Sequence, residues 1–453
     1  MNIKDQNVLV VGMARSGIAA AQLLVKHGAR VTVNDSKTRE HLKGDLSPLD
    51  VLPVRWELGK AASELLDGQD MLVISPGIPD TAPFVLEAQK RHIKIAGELE
   101  LASQLCPCPM VAVTGTNGKT TTVTLLGEIF TNAGKITHVC GNVGYPFSLA
   151  VLHAKKDDMV VVEVSSFQLE TVKKFHPHAA ALLNITEDHL DRHGTMENYT
   201  ALKMRIFQNM TNGDVAVFNA DDQNLENLAE QTQAQIMKFS RLHPVSQGAW
   251  VQDQKIMLRF HGEEKMVADR EDLYIPGPHN MENALAAICI AASMHVPLPV
   301  IRHTLRTFKG VEHRIEFVRE LHEVRYINDS KGTNVNSTIQ AIRTMDRPTV
   351  ILLGGSDKHS SYDEMVMEMN RSGLIQAAVL IGATANAIEE ALHKGGFHHI
   401  YRAENMKDAV CQMQNIAQPG WNVLLSPACA SFDMFSDYEE RGQVYKKLVS
   451  ELI

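Results

Sequence analysis

Short, wholly apolar runs recur along the chain, separated by stretches whose apolar residues fall at helical spacing. Through residue 97 the runs are "VLVV", "RVTVND", "VRWELG", "MLVISPG" and "IKIAG", with an amphipathic helix expected over residues 18–27. Continuous apolar runs between helices mark parallel strands buried on both faces, which predicts a Rossmann-like sheet for residues 1–97. Residues 98–308 open with "MVAVTGTNGKTT", read as a strand, a glycine loop and a helix over 121–131. "DDMVVVEVSSF", "AALLNI" and "DVAVFNADD" supply further strands. Short alternating pieces such as "KIMLRF" within 248–275 predict a small antiparallel insert. "IPGPHN" then interrupts the chain before a helix over 281–294. Residues 309–453 repeat the first pattern with "VRYINDS", "TVILLGGSD", "AAVLIGA" and "NVLLSPA", and close on a helix over 438–452. The expected class is α/β with three domains, 1–97, 98–308 and 309–453. The outer two are Rossmann-like, and the central one is of the P-loop ATPase type.

At 453 residues the chain exceeds a single core, which agrees with several domains. The net charge of −9 argues against a nucleic-acid partner. Any anionic ligand must be held by local cations and helix N-termini. Six cysteines without a C-x-x-C pair read as thiols of a reducing compartment. The first residues lack a signal-peptide core and no apolar run is long enough to span a bilayer. A cytoplasmic protein without membrane insertion is expected.

Two stretches carry candidate nucleotide chemistry. "VLVVGMARSG" resembles the dinucleotide fingerprint, but with Gly12, Ala14 and Gly17 the middle glycine is missing. Asp35 ends the next strand where an acid would read a ribose. On these residues alone a nicotinamide or flavin enzyme stays open. "TGTNGKTT" keeps the functional half of a Walker loop, Gly115, Thr116, Asn117, Gly118, Lys119, Thr120 and Thr121, while Val113 stands where the first glycine belongs. Backbone N–H groups and the following helix would face phosphates, Lys119 would reach the outer ones, and Thr120 would ligate Mg²⁺. Glu163 ends a neighbouring apolar run, where an acid is costly unless it meets a cation. Glu187, Asp188, His189, Asp191 and His193 crowd one loop, a donor set that suits Mg²⁺ or Mn²⁺ better than zinc. Lys203 is unremarkable by spacing.

"TGTNGKTT", "VVVEVSSFQLE", "NITEDHLDRHG" with Lys203, "GPHNMENALAA", "GVEHRIE" and "NDSKGTN" occur in this order. Together they resemble the Mur ligases, the ATP-dependent amide-forming enzymes of peptidoglycan precursor synthesis. "NDSKGTN", "GGSDK" and "LLSPACASFDMF" look most like the branch that adds D-glutamate to UDP-N-acetylmuramoyl-L-alanine. The resemblance implies an acyl-phosphate intermediate and two Mg²⁺ ions. Thr120 and Glu163 would hold one ion, and His189 and Lys203 the other, with Lys203 carrying a CO₂-derived carbamate. It places Asn283 at the adenine, with Asn280 a weaker candidate, and Arg314 and Asp329 at ATP. Thr333, Lys358, Ser431 and Tyr438 fall at D-glutamate, with Lys331 tuning the same strand end. Tyr438 stands where the family often has Phe. Arg15, Ser16, Gly17, Asp35, Ser36, Ser75, Gly77 and Asn142 would grip the UDP-linked substrate. His313 is a candidate for amine deprotonation. The resemblance further implies a third domain that closes on its substrates, and a monomer is expected. The alternatives are a Mur-type ligase with another acceptor, a folate polyglutamate ligase, a P-loop motor and an NAD-dependent dehydrogenase. The first 97 residues argue against the folate enzymes, which lack such a domain.

Overall fold

The computed structural model describes residues 1–42, 45–275, 277–356 and 360–453. They pack as two compact units, Met1–Tyr274 with Asn280–Phe308, and Ile275–His279 with Lys309–Ile453. The class is α/β as expected, with three sheets among the described residues.

The first sheet comprises β1 (Asn7–Val11), β2 (Arg30–Asp35), β3 (Val54–Leu58), β4 (Met71–Ile74) and β5 (Lys94–Gly97). Its order is β3-β2-β1-β4-β5 and all its pairs are parallel. The order reverses at β1, and doubly wound sheets bind ligands in the crevice beyond the strand ends at such a point. A helix, Arg15–Lys26, follows β1 at once and buries Ile18, Leu23 and Leu24. Its start is earlier than the apolar spacing predicts, because Gly17 lets it lie on the β1 turn. A Cβ there would sit 1.9 Å from the Gly12 carbonyl oxygen.

The second sheet holds β6 (Met110–Thr114), β7 (Thr137–Gly141), β8 (Met159–Glu163), β9 (Ala179–Leu182), β10 (Val215–Asn219), β11 (Gln235–Ser240), β12 (Gly248–Gln252), β13 (Lys255–Phe260) and β14 (Glu263–Asp269). The order is β14-β13-β12-β11-β10-β9-β6-β8-β7. β6 lies between β8 and β9, both parallel to it, so three strand ends meet beside the glycine loop. The expected antiparallel insert is β12-β13-β14. β14 closes this side of the sheet with Glu263, Glu264 and Lys265 exposed. β7 and β11 escape the apolar pattern because each is only partly buried and carries polar residues.

The second unit contains β15 (Glu316–Leu321), β16 (Val324–Asn328), β17 (Thr349–Leu353), β18 (Ile375–Leu380), β19 (Ile400–Arg402) and β20 (Asn422–Leu425). The order is β15-β16-β20-β17-β18-β19. β15 is also absent from the pattern. It is an antiparallel edge strand, joined to β16 through His322 and Glu323, both at positive φ, as a tight hairpin turn requires. The closing helix is Tyr438–Glu451. Among the described residues no helix is long and apolar enough to cross a membrane.

Candidate active site

The glycine loop joins β6 to the helix Lys119–Asn132. Gly118 sits at φ 85°, and a Cβ on it would meet Asn283 Oδ1 at 2.1 Å. Asn283 therefore packs directly on the turn, and its Nδ2 donates to Asn280 Oδ1 at 3.3 Å. Lys119 folds back over the loop, its Nζ donating to the carbonyls of Gly115 and Thr116 at 2.9 and 2.8 Å. The helix starts without a side-chain cap, so its first N–H groups keep the direction an anion needs. Thr121 Oγ1 is buried there with no hydrogen-bond partner among the described residues.

A second strand end braces this loop. Asn184, just past β9, accepts from Asn117 N at 2.8 Å and donates to the Asn117 carbonyl at 3.1 Å. Thr116 N donates to the Asn184 carbonyl, and Thr186 N donates to Thr116 Oγ1 at 3.0 Å. Asn184 carries no ligand chemistry of its own in the sequence. Its amide resembles any loop amide until β6 and β9 are seen to be neighbours.

β8 delivers Glu163 to the same place, buried. Its carboxylate accepts from Thr120 Oγ1 at 2.8 Å and from Asn142 Nδ2 at 2.9 Å. Asn142, expected to reach a substrate, is thus turned onto Glu163. Lys203 comes from the helix Met196–Met204, is 2% exposed, and donates from Nζ to the Gly115 carbonyl at 2.8 Å. Its ammonium lies 4.5 Å from the Tyr199 ring centre. Burial, then the Lys119 charge, holds this lysine well below the ordinary ammonium value. Tyr199 in turn meets Thr116 Oγ1 at 3.3 Å, and burial pushes its phenol up to about 12.

In the acidic loop, His189 is in the left-handed region at φ 55°. Its Nε2 lies 3.5 Å from Asp188 Oδ2 and its ring packs against Phe167. His193 is buried behind it, 3.0 Å from Ser166 Oγ, and burial lowers its pKa. Arg192 bonds to Glu170 at 2.6 Å.

At the first sheet, Ser75 Oγ donates to the Gly12 carbonyl at 2.8 Å, which ties the β1 and β4 ends together. Both carboxylate oxygens of Asp35 accept backbone N–H groups, from Met13 at 2.8 Å and Lys37 at 3.0 Å. Asp35 thus shapes the turn itself. Arg15 reaches the Gly144 carbonyl. Ser16 is half-buried, and Ser36 and Gly77 are exposed.

In the second unit, Asp329 follows β16, buried, accepting from Ser426 Oγ at 2.7 Å and Ile315 N at 3.2 Å. Burial pushes its carboxyl up to about 6 against the pull of Arg314. Arg314 Nε is buried with no hydrogen-bond partner among the described residues. Lys331 Nζ lies 5.2 Å from the Tyr438 ring centre, and His313 meets the same ring edge-on. Asn328 Oδ1 accepts from Ser330 N, which points its Nδ2 at His313 Nδ1, 2.8 Å away. The Nδ1 lone pair is therefore committed, and burial lowers the pKa of the ring. Ser431 is buried, and Thr333 N bonds to the Lys331 carbonyl. Lys358 lies outside the described residues. Glu312, His313 and Glu316 bring ligand-type atoms within 4.8 Å of one another. Lys446 already neutralises the two carboxylates at 2.8 and 2.6 Å.

Arg441 is the residue that sequence reasoning passes over here. It is buried, and its guanidinium donates to Ser330 Oγ, the Ser330 carbonyl and the carbonyls of Cys429 and Ala430. It thereby fastens the turns after β16 and β20 to the closing helix.

Three family models match the chain. They are the Mur ligase MurD-like N-terminal domain over residues 6–97, the Mur ligase middle domain over 113–291 and the Mur ligase glutamate ligase domain over 313–429. A UDP-N-acetylmuramoylalanine–D-glutamate ligase of Alkaliphilus oremlandii is 45% identical, with all of both chains covered. The protein of the same description from Clostridioides difficile is 43% identical over all of both chains. Among solved structures, MurF ligase from Thermotoga maritima in complex with ADP superposes with a TM-score of 0.61 at 17% identity, covering 99% of this chain and 96% of that one. UDP-N-acetylmuramate–alanine ligase MurC of the same organism gives 0.60 at 18% identity, covering 98% and 99%. A glycine loop opening onto an uncapped helix, an acid backing its hydroxyl and relatives matched from end to end converge on one conclusion: the chain belongs to the Mur ligase family.

Proposed function

We propose that the chain is an ATP-dependent amide ligase that joins D-glutamate to UDP-N-acetylmuramoyl-L-alanine in cytoplasmic peptidoglycan precursor synthesis. The observation that carries this reading is the convergence of Lys119, the Thr120–Glu163 pair and buried Lys203 on one glycine loop. Matches of 45% identity over the whole chain supply the acceptor. Residues 1–97 hold the UDP-linked substrate, 98–308 hold ATP and 309–453 hold the amino acid, in a monomer.

The substrate carboxylate attacks the γ-phosphorus of ATP, ADP leaves, and an acyl phosphate forms. The amine of D-glutamate then attacks the acyl carbon, loses a proton and expels phosphate. Two anions must meet in the first step, so charge neutralisation dominates the barrier. Lys119 leaves its own loop carbonyls for the outer phosphates, and the uncapped helix end faces them. Gly115 through Thr121 line the phosphates and Asn283 meets the adenine. Arg314 and Asp329 serve ATP. Thr333, Lys358, Ser431 and Tyr438 hold the two carboxylates of D-glutamate. Arg15, Ser16, Gly17, Ser36, Ser75 and Gly77 grip the UDP substrate, with Asp35 setting their turn and Asn142 reaching in from beside Glu163.

The oxygen donors Thr120 and Glu163 fit a hard divalent cation, as does His189 beside Asp188. Mg²⁺ held there supplies Lewis acidity to the phosphates. Lys203 fits a carbamate for a separate reason. A lysine held low by burial presents the free amine that adds to CO₂, and the product is an anion where a second cation would otherwise meet an ammonium. His313, with Nδ1 engaged by Asn328, positions the Asp329–Lys331 turn.

Phosphate release from ATP tests the assignment. It should require UDP-N-acetylmuramoyl-L-alanine together with D-glutamate, and fail with L-glutamate, L-alanine or diaminopimelate. Preference for another amino acid would keep the family and remove the acceptor assignment.

A further inference from the structure

Between the first and second sheets the chain crosses on "CPCP", residues 106–109. Cys106 ends the helix Glu98–Leu105 in extended backbone. Met110 begins β6, the strand that feeds the glycine loop. The two sulfurs of this crossing lie 3.7 Å apart, and Cys106 Sγ also contacts the Cys108 carbonyl at 3.4 Å. Neither thiol takes part in the chemistry above. We propose that Cys106 and Cys108 form a reversible dithiol–disulfide site whose oxidant is a low-molecular-weight disulfide.

Accessibility divides the roles. Cys106 is partly exposed, whereas Cys108 is 6% exposed, so Cys106 attacks and Cys108 resolves. The Cys106 thiolate displaces one sulfur of the small disulfide. The S–S bond of the oxidant breaks, one thiolate leaves and takes up a proton, and a mixed disulfide stays on Cys106. Cys108 then loses its proton and attacks Cys106 Sγ, expelling the second small thiol. The protein gives up two electrons and two protons, and the oxidant becomes two thiols. The sulfurs must close from 3.7 Å to about 2.0 Å. Pro107 fixes φ between them and limits the conformations lost on closure. The hydrogen bond from the Cys108 thiol holds Cys106 below the ordinary cysteine value, which raises its thiolate fraction. A ring spanning a single residue is strained, so the link is readily reduced again. Cys140, Cys289 and Cys429 are buried, whereas the exposed Cys411 would take up glutathione by itself, so it is replaced by serine in the test.

The site does not depend on the ligation reaction, so its test reads thiols rather than turnover. The full-length chain carrying C411S is incubated with oxidised glutathione, quenched with acid, and its thiols are counted after unfolding. The expected result is loss of two of the thiols that remain of the original six, a mass lower by two hydrogens, a Cys106–Cys108 link in peptide mapping, and full recovery with dithiothreitol. Adding C108S should instead leave one glutathione on Cys106. Retention of glutathione by the chain carrying C411S alone, a link that involves any other cysteine, or an unchanged thiol count would each overturn the proposal.

Discussion

Replacing Arg441 by methionine removes a buried guanidinium whose four hydrogen bonds fasten two turns to the closing helix. Two opposing terms decide the outcome. Burial pushes this arginine down to about 10, a cost of about 3 kcal/mol for keeping the charge inside at neutral pH. Hydrogen bonds from a charged donor return about 1.5–3 kcal/mol each, so the set outweighs the desolvation. Methionine recovers the desolvation but strands the Ser330 and Cys429 carbonyls, while the Ala430 carbonyl keeps Ser356 N and the Ser330 hydroxyl keeps the Tyr438 carbonyl, and the net loss is about 3 kcal/mol. Native-state hydrogen exchange reads it directly. Amides of β20 and of the helix Tyr438–Glu451 should exchange about a hundredfold faster in R441M, since about 1.4 kcal/mol corresponds to one decade. R441K keeps a charge and three donors but not the planar fork, and should recover part of the protection. The KM for D-glutamate should rise in R441M, because Ser330 lies between Asp329 and Lys331. Acceleration below tenfold would refute the accounting, since the stranded acceptors would then have found other donors.

Glu98 offers a pH test. Burial raises its carboxyl from 4.5 to about 7, so the folded chain holds this proton more tightly. Its stabilising contribution is full below about pH 4.5, is lost as pH rises through about 7, and amounts to about 3 kcal/mol. Glu98→Gln should therefore flatten the fall in melting temperature across that window and melt higher than the parent at about pH 8; an unchanged slope would sink the assignment. Lys203→Ala should nearly abolish phosphate release, and added formate or acetate should restore part of it; full activity without rescue would remove the carbamate. Gly118→Ala places a Cβ 2.1 Å from Asn283 Oδ1 at φ 85°, a backbone strain of about 1–2 kcal/mol before the contact is relieved. The KM for ATP should rise at least about tenfold, and an unchanged KM would show that the turn relaxes freely.

What was readable in the sequence were features whose partners lie close along the chain. Gly118, Lys119 and Thr120 are consecutive, and the strand before them and the helix after them follow from apolar spacing alone. Glu163 was readable because an acid ending an apolar run is anomalous by itself. Asn184, Arg441 and Glu98 were not. Asn184 acts on a residue 67 positions away, and Arg441 on one 111 positions away. Their meaning depends on which strands become neighbours. Glu98 reads as an ordinary first-turn helix acid until Ser148 N is found on its carboxylate and the side chain is found buried. Likewise β7, β11 and β15 lack apolar runs because edge and partly solvated positions exert little pressure for them.

The antiparallel insert has a consequence beyond completing a sheet. A strand at the rim of a sheet exposes a row of unpaired N–H and C=O groups, which is a template for a strand from another molecule. β14 turns outward the charges of Glu263, Glu264 and Lys265, and its pairing with β13 slips register between Ile256 and Met257. Charge and irregular register both spoil such a template. The nine-stranded sheet therefore has a terminus of its own making. Copies crowded together in a cell find no rung at β14 on which to add another strand, and this rim of the sheet stays part of one molecule rather than the seed of a fibre.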